Sequence, residues 1–211
     1  GEIIGFTLPK FNGVNLADVL KDKKIYFKEQ IYYLKKIGEI LYQLQNIREY
    51  TPLRNLYIND LHDSNFLVDL NKKELKVLDL DSCKIAENKI FPSKYLCDNP
   101  IVNCSLKYKR STDELDRIIP NSNTDLFCYN VVILNYLFGD DLYCCEINEF
   151  YEYLNYLENI GINKELIQIF SKITKNCKNE NPMYYLDSLT DEQVCRARKG
   201  VYTKTKNNIR K

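Results

Sequence analysis

The longest apolar run of the chain is LFCYNVVILNYLF, residues 126–138. Its thirteen residues are fewer than the roughly 18 to 20 that cross a bilayer, and two of them are asparagines. Capping side chains precede the run at 123–125, and Gly139 follows it as a helix stop. We therefore expect a buried core helix. At 211 residues the chain is long enough to enclose it in one compact domain and short for two.

The charged side chains nearly cancel, since 30 lysines and arginines oppose 29 aspartates and glutamates and leave a formal net charge of +1. This balance gives no global field that would attract nucleic acid or an anionic membrane. The basic ending KTKNNIRK, residues 204–211, is the one local patch. We predict no nucleic-acid partner, no membrane partner, and a frayed basic tail at 203–211.

The eight cysteines are scattered and form no CxxC pair, which argues against a structural zinc site. No signal peptide begins the sequence, and a domain of this size does not need disulfides for its stability. We predict free thiols in a cytoplasmic protein. A disulfide-bonded secreted protein is the alternative.

Helical signals account for most of the remaining chain. Apolar residues at spacings of three and four predict a long helix with one buried face over 26–50, which Pro52 closes. Cap and stop signals predict four others: a short helix in VNLADVLKD at 14–22, one over 147–160, one from a cap at Asn163 to about 176, and one after the capping-box pair Thr190 and Gln193.

Short β-rich segments surround polar turns in the middle of the chain. NLYIND at 55–60, NFLVDL at 65–70 and LKVLDLD at 75–81 predict one or two small hairpins. A first strand ends at Pro9, and residues 83–120 have no sustained period, which predicts a long ordered loop. The predicted fold class is therefore mainly α with short β-hairpins.

Two polar segments interrupt these hairpins. NDLHDSNFLV at 59–68 contains two aspartates, two asparagines and the only histidine, and LDLDS at 78–82 adds two aspartates. The carboxylates of Asp60 and Asp79 and the amide oxygen of Asn65 are suited to Mg²⁺ and a phosphate-bearing substrate. The alternative is that these side chains only bond their own backbone in turns.

The order and spacing of these residues resemble a known pattern. DLHDSN at 60–65 follows the spacing of the protein-kinase catalytic loop HRDLxxxN, and Asp79, fourteen residues after Asn65, falls where kinases have the aspartate of DFG. NTDLFCYNVVILNYLFG at 123–139 resembles the central buried helix of the same lobe. The chain thus resembles the C-terminal lobe of a protein-kinase-like phosphotransferase, of a divergent bacterial or phage type.

The resemblance implies ATP and Mg²⁺ as cofactors and assigns roles to four polar residues. Asp60 would orient or deprotonate the acceptor hydroxyl, while Asn65 and Asp79 would hold Mg²⁺ against the nucleotide phosphates. His62 stands at the position of the loop's lysine, where it would carry a proton or hydrogen-bond the loop. These residues are the predicted catalytic and metal-binding set.

The resemblance also assigns apolar and supporting positions. Leu67 and Leu78 would form part of the floor under the adenine, Leu8 would be the gatekeeper, and Phe11 would belong to the hinge. Asp125 would hold the backbone of the catalytic loop from below, although a plain helix N-cap is the local alternative. On this division, residues 1–11 are the last small-lobe strand and the hinge, and 12–202 form the lobe.

The chain departs from the kinase pattern in several places. Asn59 replaces the arginine before the catalytic aspartate, and Asp81 replaces the glycine of DFG. The 211 residues contain no GxGxxGxV loop and no VAIK-like strand, so we expect this chain to lack the N-terminal lobe of a kinase. We expect a truncated kinase that is inactive alone and that self-associates through its exposed lobe face.

The expected acceptor is a protein serine or threonine hydroxyl. The DLHxxN form of the loop also fits a small-molecule phosphotransferase of the aminoglycoside-phosphotransferase type. The departures at Asn59 and Asp81 fit a third alternative, a pseudokinase or interaction module without catalysis.

Overall fold

The computed structural model describes residues 10–46, 56–58, 60–78, 84–85, 122–139, 147–174 and 178–209. Within these ranges the protein is mostly helical and carries a small three-stranded antiparallel sheet. The prediction of a mainly α fold with short β-hairpins is therefore confirmed. The described ranges contain no helix that is long and apolar enough to cross a membrane.

The described chain begins with a short strand and two helices. Strand β1 (Val14–Asn15) leads directly into helix α1 (Leu16–Lys21), so the predicted short helix starts two residues later than its sequence segment. Helix α2 (Phe27–Gln45) follows the exposed Tyr26. Its buried face has the predicted spacing and includes Ile31, Leu34, Ile37 and Leu41. The helix ends at Gln45 with Asn46 as its C-cap, so it is shorter than the predicted 26–50, and Pro52 does not close it. Residues 47–50 lie outside the described ranges.

Helix α3 (Ser122–Phe138) is the predicted core helix. Tyr129, Ile133 and Leu137 are fully buried, and Gly139 ends the helix with a φ of +80°. The helix begins at Ser122, so 123–125 lie inside it and the prediction that they cap it is wrong. The carboxylate of Asp125 accepts a hydrogen bond from the backbone N–H of Ile58, which follows strand β2 (Leu56–Tyr57).

The described C-terminal ranges contain the α-helices α4 (Ile147–Asn159), α5 (Lys164–Ser171) and α6 (Asp191–Ile209). Two 3₁₀ helices, Lys172–Thr174 and Pro182–Ser188, lie between α5 and α6. Asn163 caps α5 as predicted, because its Oδ1 accepts from the N–H groups of Glu165 and Leu166. The capping box before α6 is also present, with both reciprocal bonds between Thr190 and Gln193. Helix α6 continues to Ile209, so its backbone is helical where the sequence predicts a frayed tail.

The strands form two small sheets. β3 (Phe66–Asp69) pairs antiparallel with β4 (Glu74–Val77), which is the predicted hairpin, and β1 pairs antiparallel with the other edge of β3. β2 (Leu56–Tyr57) pairs with β5 (Lys84–Ile85). Strands β1 and β5 have only two residues each, which is too short for a measurable alternation of apolar and polar residues, so neither is predicted from the sequence.

Helix α3 lies at the centre of the hydrophobic core and packs against α2 and α6. Two buried tyrosines of α3 also bond to α2, since the hydroxyl of Tyr129 donates to the Leu34 carbonyl at 2.6 Å and that of Tyr136 to Gln30 Oε1 at 2.8 Å. These bonds fix the two helices in register.

Candidate phosphotransfer site

The polar loop that the sequence singles out lies between two buried anchors. β2 leads into Ile58, which is 2% exposed, and Leu61 in the middle of the loop is fully buried. A short 3₁₀ turn, Asp63–Asn65, then enters β3 at the fully buried Phe66. Because apolar side chains fix the loop at these points, its polar side chains are presented outward from a rigid base.

Asp60 and Asn65 are brought together across the loop. The Nδ2 of Asn65 donates to the backbone carbonyl of Asp60 at 3.0 Å and to its carboxylate Oδ2 at 3.3 Å. Among the described residues, no hydrogen bond reaches the Oδ1 of Asn65. An amide held in this way keeps its oxygen available for a cation beside a carboxylate.

His62 lies beside the same carboxylate. Its Nε2 is 3.6 Å from Asp60 Oδ2, and the two side chains are 23% and 26% exposed. A distance of 3.6 Å is too long for a hydrogen bond, but it places an ionisable ring next to the predicted catalytic carboxylate. The predicted residues Asp60, His62 and Asn65 therefore form one cluster.

Asp125 supports the loop from below. Its side chain is 2% exposed, and its Oδ2 accepts from the backbone N–H of Ile58 at 2.9 Å. The two residues are 67 positions apart, so this bond joins the core helix α3 to the start of the polar loop. The contact that the resemblance implies for Asp125 is present, in place of the helix cap.

The residues predicted under the adenine share one face of the sheet. Phe66 and Val68 are fully buried, so the half-buried Leu67 between them points to the opposite face. Leu67 lies opposite Lys76 of β4, and Leu78 follows two residues later on the same side. The backbone N–H of Leu78 donates to the Asn65 carbonyl at 2.7 Å, which joins this face to the polar loop.

Phe11 contacts Lys76 on the same face of the sheet. The ammonium group of Lys76 lies 4.5 Å from the centre of the Phe11 ring, within the range of a cation–π contact. The sheet therefore presents an apolar surface beside the Asp60–Asn65 pair, and Leu78 on it is 37% exposed. Lys76 was not singled out by the sequence analysis, since a lysine in a hairpin normally belongs to a solvated face.

Part of the predicted site lies outside the described residues: Leu8, Asn59, Asp79 and Asp81. The structure describes no cluster of three or more histidine, cysteine, aspartate or glutamate side chains that could hold a metal. The predicted magnesium ligands are one amide, Asn65, and one carboxylate, Asp79. Two such ligands would not make a cluster of this kind. This assignment stays a prediction.

Two further residues of the site were missed. The side chain of Asn15 donates to the backbone carbonyl of Ser64, next to Asn65. An asparagine before an apolar helical segment signals a helix cap, but nothing in the sequence signals a contact with a residue 49 positions away.

No protein-family model matches the chain, and no curated protein is significantly similar to it.

Proposed function

We propose that this chain is the C-terminal lobe of an ATP- and Mg²⁺-dependent kinase, with a protein serine or threonine hydroxyl as the acceptor. The observation that carries the proposal is the pairing of Asp60 and Asn65 on a loop whose start is held by the buried Asp125. Phosphoryl transfer depends chiefly on positioning and on the stabilisation of negative charge. The clamped loop would supply the positioning, and the Mg²⁺ that its side chains would hold would stabilise the charge.

In this proposal Asp60 orients the acceptor hydroxyl and takes its proton. The Oδ1 of Asn65, together with Asp79, would hold Mg²⁺, and the metal would supply positive charge for the phosphates. His62, with its Nε2 3.6 Å from the Asp60 carboxylate, carries a proton or hydrogen-bonds the loop. Leu67, Leu78 and Phe11 supply the apolar surface for the base.

The nucleotide would be held from one side by these residues. The 211 residues contain no glycine-rich phosphate loop and no phosphate-gripping lysine strand. The proposal therefore gives this chain the acceptor and metal side of the site and little turnover of its own. Nucleotide binding is the appropriate property to measure.

The test is a titration with a fluorescent ATP analogue, with and without Mg²⁺. We expect weak binding that Mg²⁺ strengthens, and we expect Asn65→Ala to remove the strengthening by Mg²⁺. Asn71→Ala, in the exposed turn between β3 and β4, is the matched control and should bind as the wild type does. Binding that is indifferent to Mg²⁺ in the wild type, or absent, would refute the proposal and favour an interaction module without catalysis.

A further inference from the structure

The side-chain amide of Asn15 forms hydrogen bonds to two backbone groups, one through its oxygen and one through its nitrogen. Its Oδ1 accepts from the N–H of Ala17 at 2.9 Å, which caps α1, and its Nδ2 donates to the carbonyl of Ser64 at 2.8 Å. A backbone N–H can only donate and a carbonyl can only accept. The amide oxygen of Asn15 must therefore face Ala17, and its nitrogen must face Ser64. Asparagine provides the donor and the acceptor on two separate atoms, whereas a serine or threonine hydroxyl provides both on one.

The contact with Ser64 lies at the opposite end of the polar loop from the contact made by Asp125. Asp125 holds the N–H of Ile58, where the loop begins, and Asn15 holds the carbonyl of Ser64, just before Asn65. Asn15 itself is fixed on β1, where it pairs with Leu67 of β3. The loop is thus clamped at both ends, from two different elements.

We propose that Asn15 is a positioning residue of the site, which holds the Ser64 carbonyl so that the amide of Asn65 faces the Asp60 carboxylate in a fixed orientation. The role of Asn15 in nucleotide binding rests on the proposed function. The positioning role can be separated from capping of α1, because the cap needs only an oxygen acceptor, whereas the contact with Ser64 needs an N–H donor.

Two variants separate the cap from the contact with Ser64. Asn15→Ser keeps a capping oxygen on a side chain too short to bridge to Ser64, and Asn15→Asp keeps the cap but replaces the donor with an acceptor. Both should leave α1 formed. Asn12→Ser, at an exposed position on the same segment, is the matched control.

The first readout is amide hydrogen exchange by NMR. The N–H of Asn65 donates to the His62 carbonyl at 3.0 Å, so its exchange reports the order of the loop. We expect Asn15→Ser and Asn15→Asp to exchange faster at Asn65 but to retain wild-type exchange at Ala17. The second readout is affinity for the ATP analogue with Mg²⁺, which should fall roughly 3- to 10-fold, the effect of one net hydrogen bond.

The two readouts distinguish the two possible failures. Wild-type exchange at Asn65 in both variants would overturn the positioning role. Faster exchange at Asn65 together with unchanged Mg²⁺-dependent affinity would overturn its role in binding. If the wild type shows no Mg²⁺-dependent binding, the proposed function fails, and exchange at Asn65 still decides whether Asn15 orders the loop.

Discussion

The contact between Asp125 and the N–H of Ile58 has the largest expected effect of any single hydrogen bond at this site. Both groups are buried, so removing the carboxylate leaves a donor without water to replace its partner. We predict that Asp125→Ala lowers the free energy of unfolding by about 1–3 kcal/mol, measured by urea denaturation.

Asp187→Ala is the control for that substitution. Asp187 also accepts a hydrogen bond, from Lys35, but its side chain is 69% exposed. Its loss should cost about 0–1 kcal/mol, the usual effect of a surface ion pair. Equal destabilisation by the two alanine variants would contradict the account of Asp125.

The elements of the fold were predictable where their signal is local. The stop at Gly161, the cap at Asn163 and the box of Thr190 and Gln193 each depend on residues within one turn, and all three are present. The pairing of β2 with β5 and the hydrogen bond from Ile58 to Asp125 join residues far apart in sequence, and the resemblance to kinases anticipated only the second of them. Only packing decides such contacts.

Helix α2 provides a test of that packing. A Cβ at Gly38 would lie 2.6 Å from Met183 Cβ and 2.8 Å from Asn181 Oδ1. We predict that Gly38→Ala lowers the free energy of unfolding by about 1–3 kcal/mol, measured by thermal or urea unfolding. The steric cost of the added methyl group should exceed the stabilisation that alanine's higher helix propensity provides.

Lys28→Ala tests the same helix at an exposed position. It should change the free energy of unfolding by less than about 0.5 kcal/mol. Stabilisation by Gly38→Ala would show that α2 is not packed against the segment around Asn181 and Met183.

For the whole molecule, buried tyrosines predict sensitivity to alkaline pH. Burial, with a smaller effect of the nearby Glu29 charge, raises the pKa of Tyr33 to about 12. Burial also raises the pKa values of Tyr129 and Tyr136. Since an unfolded tyrosine ionises near pH 10, the unfolded state loses these protons first, and stability falls as pH rises from about 10 through 12.

The measurement is the free energy of unfolding at pH 8 and at about pH 11. Tyr33 alone should contribute a loss on the order of 1 kcal/mol at the higher pH, and Tyr33→Phe should reduce the pH dependence by that amount. An identical pH dependence in the wild type and Tyr33→Phe would contradict burial of the hydroxyl.

The central claim is that the loop containing Asp60 and Asn65 binds a metal-bound nucleotide. The most direct measurement is paramagnetic broadening of backbone NMR signals by Mn²⁺ with an ATP analogue, because broadening marks residues close to the metal. We predict loss of the Asp60, Asn65 and Leu78 signals at Mn²⁺ concentrations that leave Lys164, on α5, unchanged. Broadening centred elsewhere, or none that depends on the nucleotide, would contradict the claim.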